Sequence, residues 1–180
     1  MSPAPLCIDL DGTLIHCDVT QKSIELFLKK NPLGIFQLFL WLLKGRALLK
    51  KNLTKVVSLD INLLPFNKDV LSLIQNAKEQ GHPIVLATAC DEVIAHQVAD
   101  FLGVFDDIIA SDGVTNQRAH QKAYTLSEKY GLKNFIYAGN SKDDLKVWLC
   151  AQKGFAVNIS KSVEVKLPHL KTPMQIISRK

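Results

Sequence analysis

Short apolar runs alternate along this chain with stretches in which apolar residues recur every three or four positions. The runs predict strands at Leu6–Leu10, Pro83–Thr88, Asp107–Ala110, Asn134–Ala138 and Phe155–Asn158. The helical period predicts helices over Val93–Leu102, His120–Tyr130 and Asp143–Ala151, with Gly103 and Gly131 as their stops. Strands alternating with helices predict a parallel sheet with crossover helices. The ligand crevice of such a sheet lies at the carboxyl ends of its strands.

One stretch breaks this rhythm. Roughly 70 residues between the first and second strands carry no strand signal. Helical periodicity there covers Gln21–Lys30, Leu33–Leu43, Arg46–Val57 and Asn67–Gln80, punctuated by Pro32, Gly45 and Pro65. A segment so long and so patterned predicts an all-helical insertion, not a loop. The expected division is a core of residues 1–15 and 82–180 and an inserted cap of residues 16–81. The tail, Lys161–Lys180, is expected to be a surface strand or an extended arm. Within the insertion, Pro32–Leu43 reads PLGIFQLFLWLL. It is too short for the roughly 20 residues that span a bilayer. Lys29, Lys30, Lys44, Arg46, Lys50 and Lys51 flank it. It is either a helix buried among its neighbours or an interfacial element, with Trp41 and the cations suited to an anionic membrane surface.

Composition narrows the class. Of 180 residues, 47% are hydrophobic and 22% charged, which suits a folded domain and excludes a disordered chain. Lys and Arg number 22 and Asp and Glu 17, so the net charge is 22 − 17 = +5. That charge is compatible with an anionic partner, but no basic patch interleaves with aromatics, so no nucleic-acid interface is expected. Cys7, Cys17, Cys90 and Cys150 form no CxxC pair and no zinc spacing, which predicts free thiols in a reducing compartment. The start, Met-Ser-Pro-Ala-Pro, lacks the pattern of a secretory signal. A cytoplasmic location follows as the expectation, peripheral to the inner face of the membrane if the apolar segment meets lipid. A multi-span membrane enzyme, a disulfide scaffold and a fibrous protein are excluded.

The densest chemistry lies in CIDLDGTLI, residues 7–15. An apolar strand delivers Asp9 and Asp11 to its end, and Gly12 and Thr13 make the turn. Alternation along a strand predicts that both carboxylates point the same way. Carboxylates held that close repel unless a cation or a shared proton intervenes. Mg²⁺, a hard cation with oxygen ligands, meets that need. One carboxylate can then attack phosphorus while the other moves a proton. A strand-end turn with Asx capping is the plain alternative, but a strand followed by DxDGT is far more specific than that.

This combination resembles motif I of the haloacid-dehalogenase-like superfamily of phosphohydrolases. The resemblance implies an α/β fold: a Rossmann-like three-layer core with a parallel five-stranded sheet and an inserted all-helical C1 cap. It implies that Asp9 becomes an aspartyl-phosphate and that Asp11 is the general acid and base, with Gly12 and Thr13 beside the phosphate. Motif II maps to Thr88 in PIVLATAC, whose hydroxyl, with N–H groups near Ala89, would hold a phosphate oxygen. Motif III maps to TNQRAHQKAYTL, where Lys122 is preferred as the cation pairing with the nucleophile and Arg118 is a second phosphate contact. Motif IV is ordinarily Gly-Asp with a further Asp four residues on. FIYAGNSKDDLKVW supplies Asn140 in place of the first Asp, and Asp144 as the second. An amide oxygen ligates Mg²⁺ without bringing negative charge, so weaker metal binding, compensation by Asp143 and loss of activity all stay open. The implied metal set is Asp9, Asp11 through its carbonyl, Asn140 and Asp144.

A closer resemblance covers Pro5 to about Asn158, through PLCIDLDGTLI, VLATACDEVIAHQVADFLGVFDDIIASDGVTN and YAGNSKDDLKVW. These stretches are similar to the haloacid-dehalogenase domain that precedes the membrane part of certain UbiA-type prenyltransferase fusion proteins, a domain with a C1 cap like that of phosphoserine phosphatase. It implies that Asn140 is a feature of the group. No prenyl-diphosphate motif follows Asn158, so prenyl transfer itself is not expected. The expected activity is Mg²⁺-dependent hydrolysis of a phosphate monoester, with a small phosphate or a lipid-linked or prenyl-linked phosphate as substrate. Its rivals are a phosphotransferase and a catalytically weak phosphate- or lipid-binding module that partners a membrane prenyltransferase. Oligomeric state stays open.

Overall fold

The computed structural model describes residues 3–180. Strand β1 (Leu6–Ile8) is followed by four helices, α1 (Val19–Lys30), α2 (Ile35–Leu43), α3 (Arg46–Val56) and α4 (Lys68–Glu79). Strand and helix then alternate through β2 (Ile84–Asp91), α5 (Glu92–Leu102), β3 (Asp107–Ser111), α6 (His120–Tyr130), β4 (Ile136–Gly139), α7 (Asp144–Cys150) and β5 (Lys153–Ala156). A short helix, α8 (Lys161–Glu164), leads to β6 (Met174–Ile176). Among the described residues no helix is long and apolar enough to cross a membrane.

All strand pairs are parallel, in the order β3-β2-β1-β4-β5-β6. The five strands expected from the sequence are present, and the sheet carries a sixth. The tail contributes it as β6, paired with β5 through Gly154–Met174 and Ala156–Ile176. The tail, expected to be a surface strand or an extended arm, thus supplies a strand, and its three residues, Met-Gln-Ile, are too few for alternation to set its bounds. The pairing lays Met174 over Gly154, where a Cβ would stand 2.3 Å from the Met174 sulfur.

Strand alternation sorts the core into two layers. Leu6 and Ile8 join Ile84, Leu86, Val70, Ile74 and Val98 on the side of α4 and α5. Cys7 joins Val85, Ile109, Leu126, Tyr137 and Trp148 on the side of α6 and α7. Helix α4 thus packs on the sheet. Helices α1–α3 instead build a small cluster of their own from Phe27, Leu38, Leu49, Leu53 and Val57. Helix α2 is not buried among its neighbours. Only Leu38 is fully covered, while Trp41 is turned inward against Phe27 with ring centroids 5.7 Å apart.

The strand order reverses beside β1. The chain leaves β1 for β2 and β3 on one side, then returns to β4 on the other. A crevice opens where two such crossovers part, at the carboxyl ends of β1 and β4.

Candidate active site

A cleft of about 1000 Å³ opens at that split. Asp9, Asp11, Gly12, Ala89, Arg118, Lys122, Asn140 and Asp144 line its core side. Gln21, Glu25, Leu42, Arg46, Leu49 and Lys50 line it from the insertion.

Asp9 continues the register of β1. Its N–H donates to the Ala138 carbonyl on β4 (3.0 Å), and its side chain follows Cys7 toward the α6 layer. There Lys122, in the first turn of α6, donates to Asp9 Oδ1 at 2.7 Å and to the Tyr137 hydroxyl at 2.9 Å. Both ends of the pair are almost completely covered, with side chains 4% and 11% exposed. Burial pushes the Asp9 carboxyl up to about 6, and Asp144 adds to the push while Lys122 pulls it back. Burial opposes the charge on Lys122, but Asp9 and Asp144 outweigh it and hold the ammonium above its ordinary range.

Asp11 reaches the same cleft by another route. Strand β1 ends at Ile8, so strand alternation does not orient Asp11 as the sequence reading expected. Asp11 instead opens the turn that Gly12 continues with φ +73°, and its Oδ1 accepts the N–H of Val19 at the start of α1 (2.8 Å). Burial pushes Asp11 up to about 7, with Asp18 and Asp9 adding repulsion.

Asp144 has little capacity left for a ligand. Its Oδ2 accepts the N–H groups of Asn140 (3.0 Å) and Ser141 (2.8 Å) and the Ser141 hydroxyl (2.8 Å). Its Oδ1 accepts the Tyr137 hydroxyl at 2.6 Å. Gly139 permits this packing, since a Cβ there would lie 2.7 Å from Asp144 Cγ. The geometry therefore sets Asp144 to shape the turn that carries Asn140, not to face a cation directly. The Asn140 amide lies over Gly12, where a Cβ would stand 2.0 Å from its nitrogen and 3.6 Å from its oxygen.

The other expected residues divide between floor and rim. Thr13 and Thr88 are completely buried, beneath the cleft and not on its surface. Thr88 Oγ1 accepts the Cys90 N–H at 2.9 Å and so shapes the turn that presents Ala89. Thr13 Oγ1 is without a hydrogen-bond partner among the described residues. Arg118 lines the cleft but pairs with Asp143 (2.5 Å), the acid that the sequence offered as compensation for Asn140.

Mg²⁺ suits the donors at the split. Buried Asp9 and half-buried Asp11 both have raised pKa values, and the buried ammonium of Lys122 pairs with Asp9 alone, so added positive charge is favoured there. Carboxylates, main-chain carbonyls and an amide are the oxygen donors a hard cation takes. The set is thin in charge. Among the described residues no group of three or more His, Cys, Asp or Glu side chains is placed to hold a metal.

Three contributors escaped the sequence reading. Tyr137 bridges Lys122 and Asp144 from two residues before Gly139. Asn158, beyond β5, donates to the Gly12 carbonyl at 3.1 Å and pins the DxDGT turn. Lys50, on α3, donates to the Ala89 carbonyl across the cleft. Beside it Lys51 Nζ reaches the Asp112 carbonyl (2.8 Å) and Thr54 Oγ1 reaches Asp91 (3.1 Å), so α3 is laced to the core. The one available signal was the i, i+4 spacing of Lys50 and Thr54 on a helix.

Comparisons with known proteins bear on the family and the fold. A family model described as haloacid dehalogenase-like hydrolase matches residues 46–149. That stretch carries Lys122, Asn140 and Asp144, while Asp9 and Asp11 precede it. The uncharacterized protein y4nM of Sinorhizobium fredii (strain NBRC 101917 / NGR234) is 35% identical over 163 residues, 91% of this chain and 31% of that protein. The chain thus spans about a third of the length of that curated relative. The fold is similar to that of the hydrolase t0658 of Salmonella enterica serovar Typhi, with TM-score 0.68 and 14% identity over 97% of this chain and 69% of that one. It is also similar to a phospho-aspartyl intermediate analogue of phosphoserine phosphatase, with TM-score 0.63 and 15% identity over 100% of this chain and 96% of that one.

Proposed function

The chain belongs to the haloacid dehalogenase-like hydrolase family, and on that footing we propose that it is a phosphatase that cleaves a phosphate monoester through an aspartyl-phosphate on Asp9. The observation that carries this reading is the buried Lys122–Asp9 contact at 2.7 Å, in the cleft that Asp11 also lines.

The chemistry follows from the side chains. Lys122 keeps Asp9 ionised and oriented, so a carboxylate oxygen is ready to attack phosphorus. Asp11, with its carboxyl pushed up to about 7, holds a proton near neutrality and can give it to the departing alkoxide. The ester oxygen leaves as an alcohol and the phosphoryl group stays on Asp9. Asp11, now ionised, takes a proton from water as that water attacks phosphorus, which frees inorganic phosphate and restores both carboxyls. Lys122 and Arg118 offset the charge on the phosphoryl oxygens, and the turn at Gly12 and the N–H groups near Ala89 bind them. Asp9, the Asp11 carbonyl and the Asn140 amide would hold Mg²⁺, which when bound neutralises phosphate charge and spares the two carboxylates their repulsion. Helices α1–α3, within the inserted segment 16–81, act as the cap that excludes bulk water.

Leu42 and Leu49 line the cleft beside Arg46 and Lys50. This pairing of apolar and cationic groups favours an ester with an apolar leaving group, such as a prenyl phosphate, over a wholly polar one.

The test is phosphate release from an aryl phosphate and from a panel of sugar and prenyl phosphates, with and without Mg²⁺. Activity should require Mg²⁺ and fall at least a thousandfold in Asp9→Asn, the loss expected of a missing nucleophile. A product phosphorylated on an added alcohol would instead establish a phosphotransferase. A folded protein that binds Mg²⁺ and an inert phosphate mimic yet turns over nothing would sink the catalytic reading and leave a binding module.

A further inference from the structure

We propose that the outer face of α2 docks on an anionic lipid surface. This rests on the shape and charge of the insertion and is independent of whether Asp9 is a nucleophile.

Helix α2, IFQLFLWLL, holds to the protein by a narrow seam. Gly34 and Leu38 are buried, and Trp41 leans on Phe27. Opposite that seam stand Phe36, Leu40 and Leu43, 72%, 59% and 68% exposed. Ile35, Phe39 and Leu42 widen the strip along one flank, and all three are exposed. A contiguous strip of large apolar side chains is uncommon on a soluble surface and marks something that covers it.

The charge around the strip says what. Residues 26–59 contain Lys29, Lys30, Lys44, Arg46, Lys50, Lys51 and Lys55 and no acidic residue, a net charge of +7. The whole chain is +5, so everything else sums to 5 − 7 = −2. All the excess positive charge sits on this stretch; Lys50 and Lys51 turn to core carbonyls, and Lys29, Lys30 and Lys44 stand beside α2. Lys29 and Lys30 close α1 just before α2, and Lys44 and Arg46 follow it. A second copy of this chain would bring the same cationic segment against itself, since a two-fold interface apposes the same patch. Anionic lipid headgroups complement both features at once: the cations meet phosphates while Phe36, Phe39 and Leu40 enter the acyl boundary. Nine residues make a helix about 14 Å long, too short for a hydrocarbon core of about 30 Å. The helix therefore lies along the surface. Trp41, which the sequence offered as the interfacial aromatic, faces inward, and the phenylalanines take that role.

The cleft opens onto the same segment. Leu42, near the end of α2, and Arg46, at the start of α3, both line the cleft. Docking would therefore place the cleft mouth beside the membrane surface.

The experiment is co-sedimentation of the full chain with vesicles of phosphatidylcholine alone and of phosphatidylcholine mixed with phosphatidylglycerol. The protein should pellet with the anionic vesicles, weakly or not at all with the neutral ones, and be released by salt. Phe36→Ser with Leu40→Ser, two exposed positions away from the cleft, should weaken binding at least tenfold. Circular dichroism and phosphate release in solution should stay unchanged. Lys30→Gln and Lys44→Gln should each cost about fivefold. A protein that stays in the supernatant with anionic vesicles overturns the proposal. So does binding that is indifferent to the Phe36/Leu40 pair, or light scattering that finds a dimer dissociated by the same variant without vesicle binding.

Discussion

Tyr137 is the residue through which the two halves of the site communicate. It donates to Asp144 at 2.6 Å and accepts from Lys122 at 2.9 Å, while fully buried. Burial and the neighbouring Asp144 push its phenol well above the ordinary range, so it remains a neutral donor. Tyr137→Phe leaves buried charges one partner short, at a cost of about 1–3 kcal/mol. Thermal unfolding should shift down accordingly, and kcat should fall about tenfold with KM little changed, as Lys122 loses its orientation. A second prediction concerns pH. In the metal-free protein Asp9 titrates at about 6 and Asp11 at about 7, whereas unfolded Asp titrates near 3.9. Between those limits the folded state binds more protons than the unfolded one, so stability falls as pH rises from about 4 to 7. Urea unfolding in EDTA should show that slope, and Asp11→Asn should flatten it. That Asp9, Asp11 and Lys122 share one cleft was legible from the DxDGT spacing for the two aspartates and from the motif resemblance for Lys122. Tyr137 was not, because its partners lie 15 and 7 residues away and meet it only once α6 and α7 pack on β4.

At the scale of elements, the β4–α7 turn decides how tightly the site holds a cation. Asp144 organises that turn and Asn140 faces Gly12. Asn140→Asp adds a third carboxylate to an already repulsive pair. The metal-free variant should melt lower than the parent protein, while Mg²⁺ should raise its melting temperature further and bind it at least tenfold more tightly. Calorimetric titration with Mg²⁺ and thermal scans with and without the ion read both effects. The strand positions around this turn were legible because each is a short apolar run ending in small or polar residues. The insertion was legible as helical, but not the partition within it. Helix α4 carries its apolar residues on one face and packs on the sheet through Val70, Ile74 and Ala77, whereas α2 is apolar nearly all round. An apolar circumference says nothing about which side is covered. The covering of Leu38 and Trp41 depends on where Phe27 ends up.

The whole molecule is uneven in strength as well as in charge. Helices α1–α3 share among themselves a cluster of five buried apolar residues, and their side-chain bonds to the core run through Lys50, Lys51 and Thr54 and through the Val19 N–H to Asp11. The sheet rests on two far larger clusters. Regions with few buried contacts open locally at low free-energy cost. Native-state trypsin digestion should therefore cut first at Lys29, Lys30 or Lys44, with peptide mapping finding the core intact at that stage. A first cut inside β1–β4 would contradict this. The position of β1 has a consequence during synthesis. It lies at the centre of the sheet, yet Ile84, its first β2 partner residue, comes 76 residues after Ile8, and β4 begins 52 residues after that. At about 5–20 residues per second, Leu6–Ile8 waits on the order of 4–15 s for one neighbour and several seconds more for the other. Throughout that interval Leu6, Cys7 and Ile8 have no strand to pair with. Asp9, which follows them directly, is therefore made long before the strands that set its place.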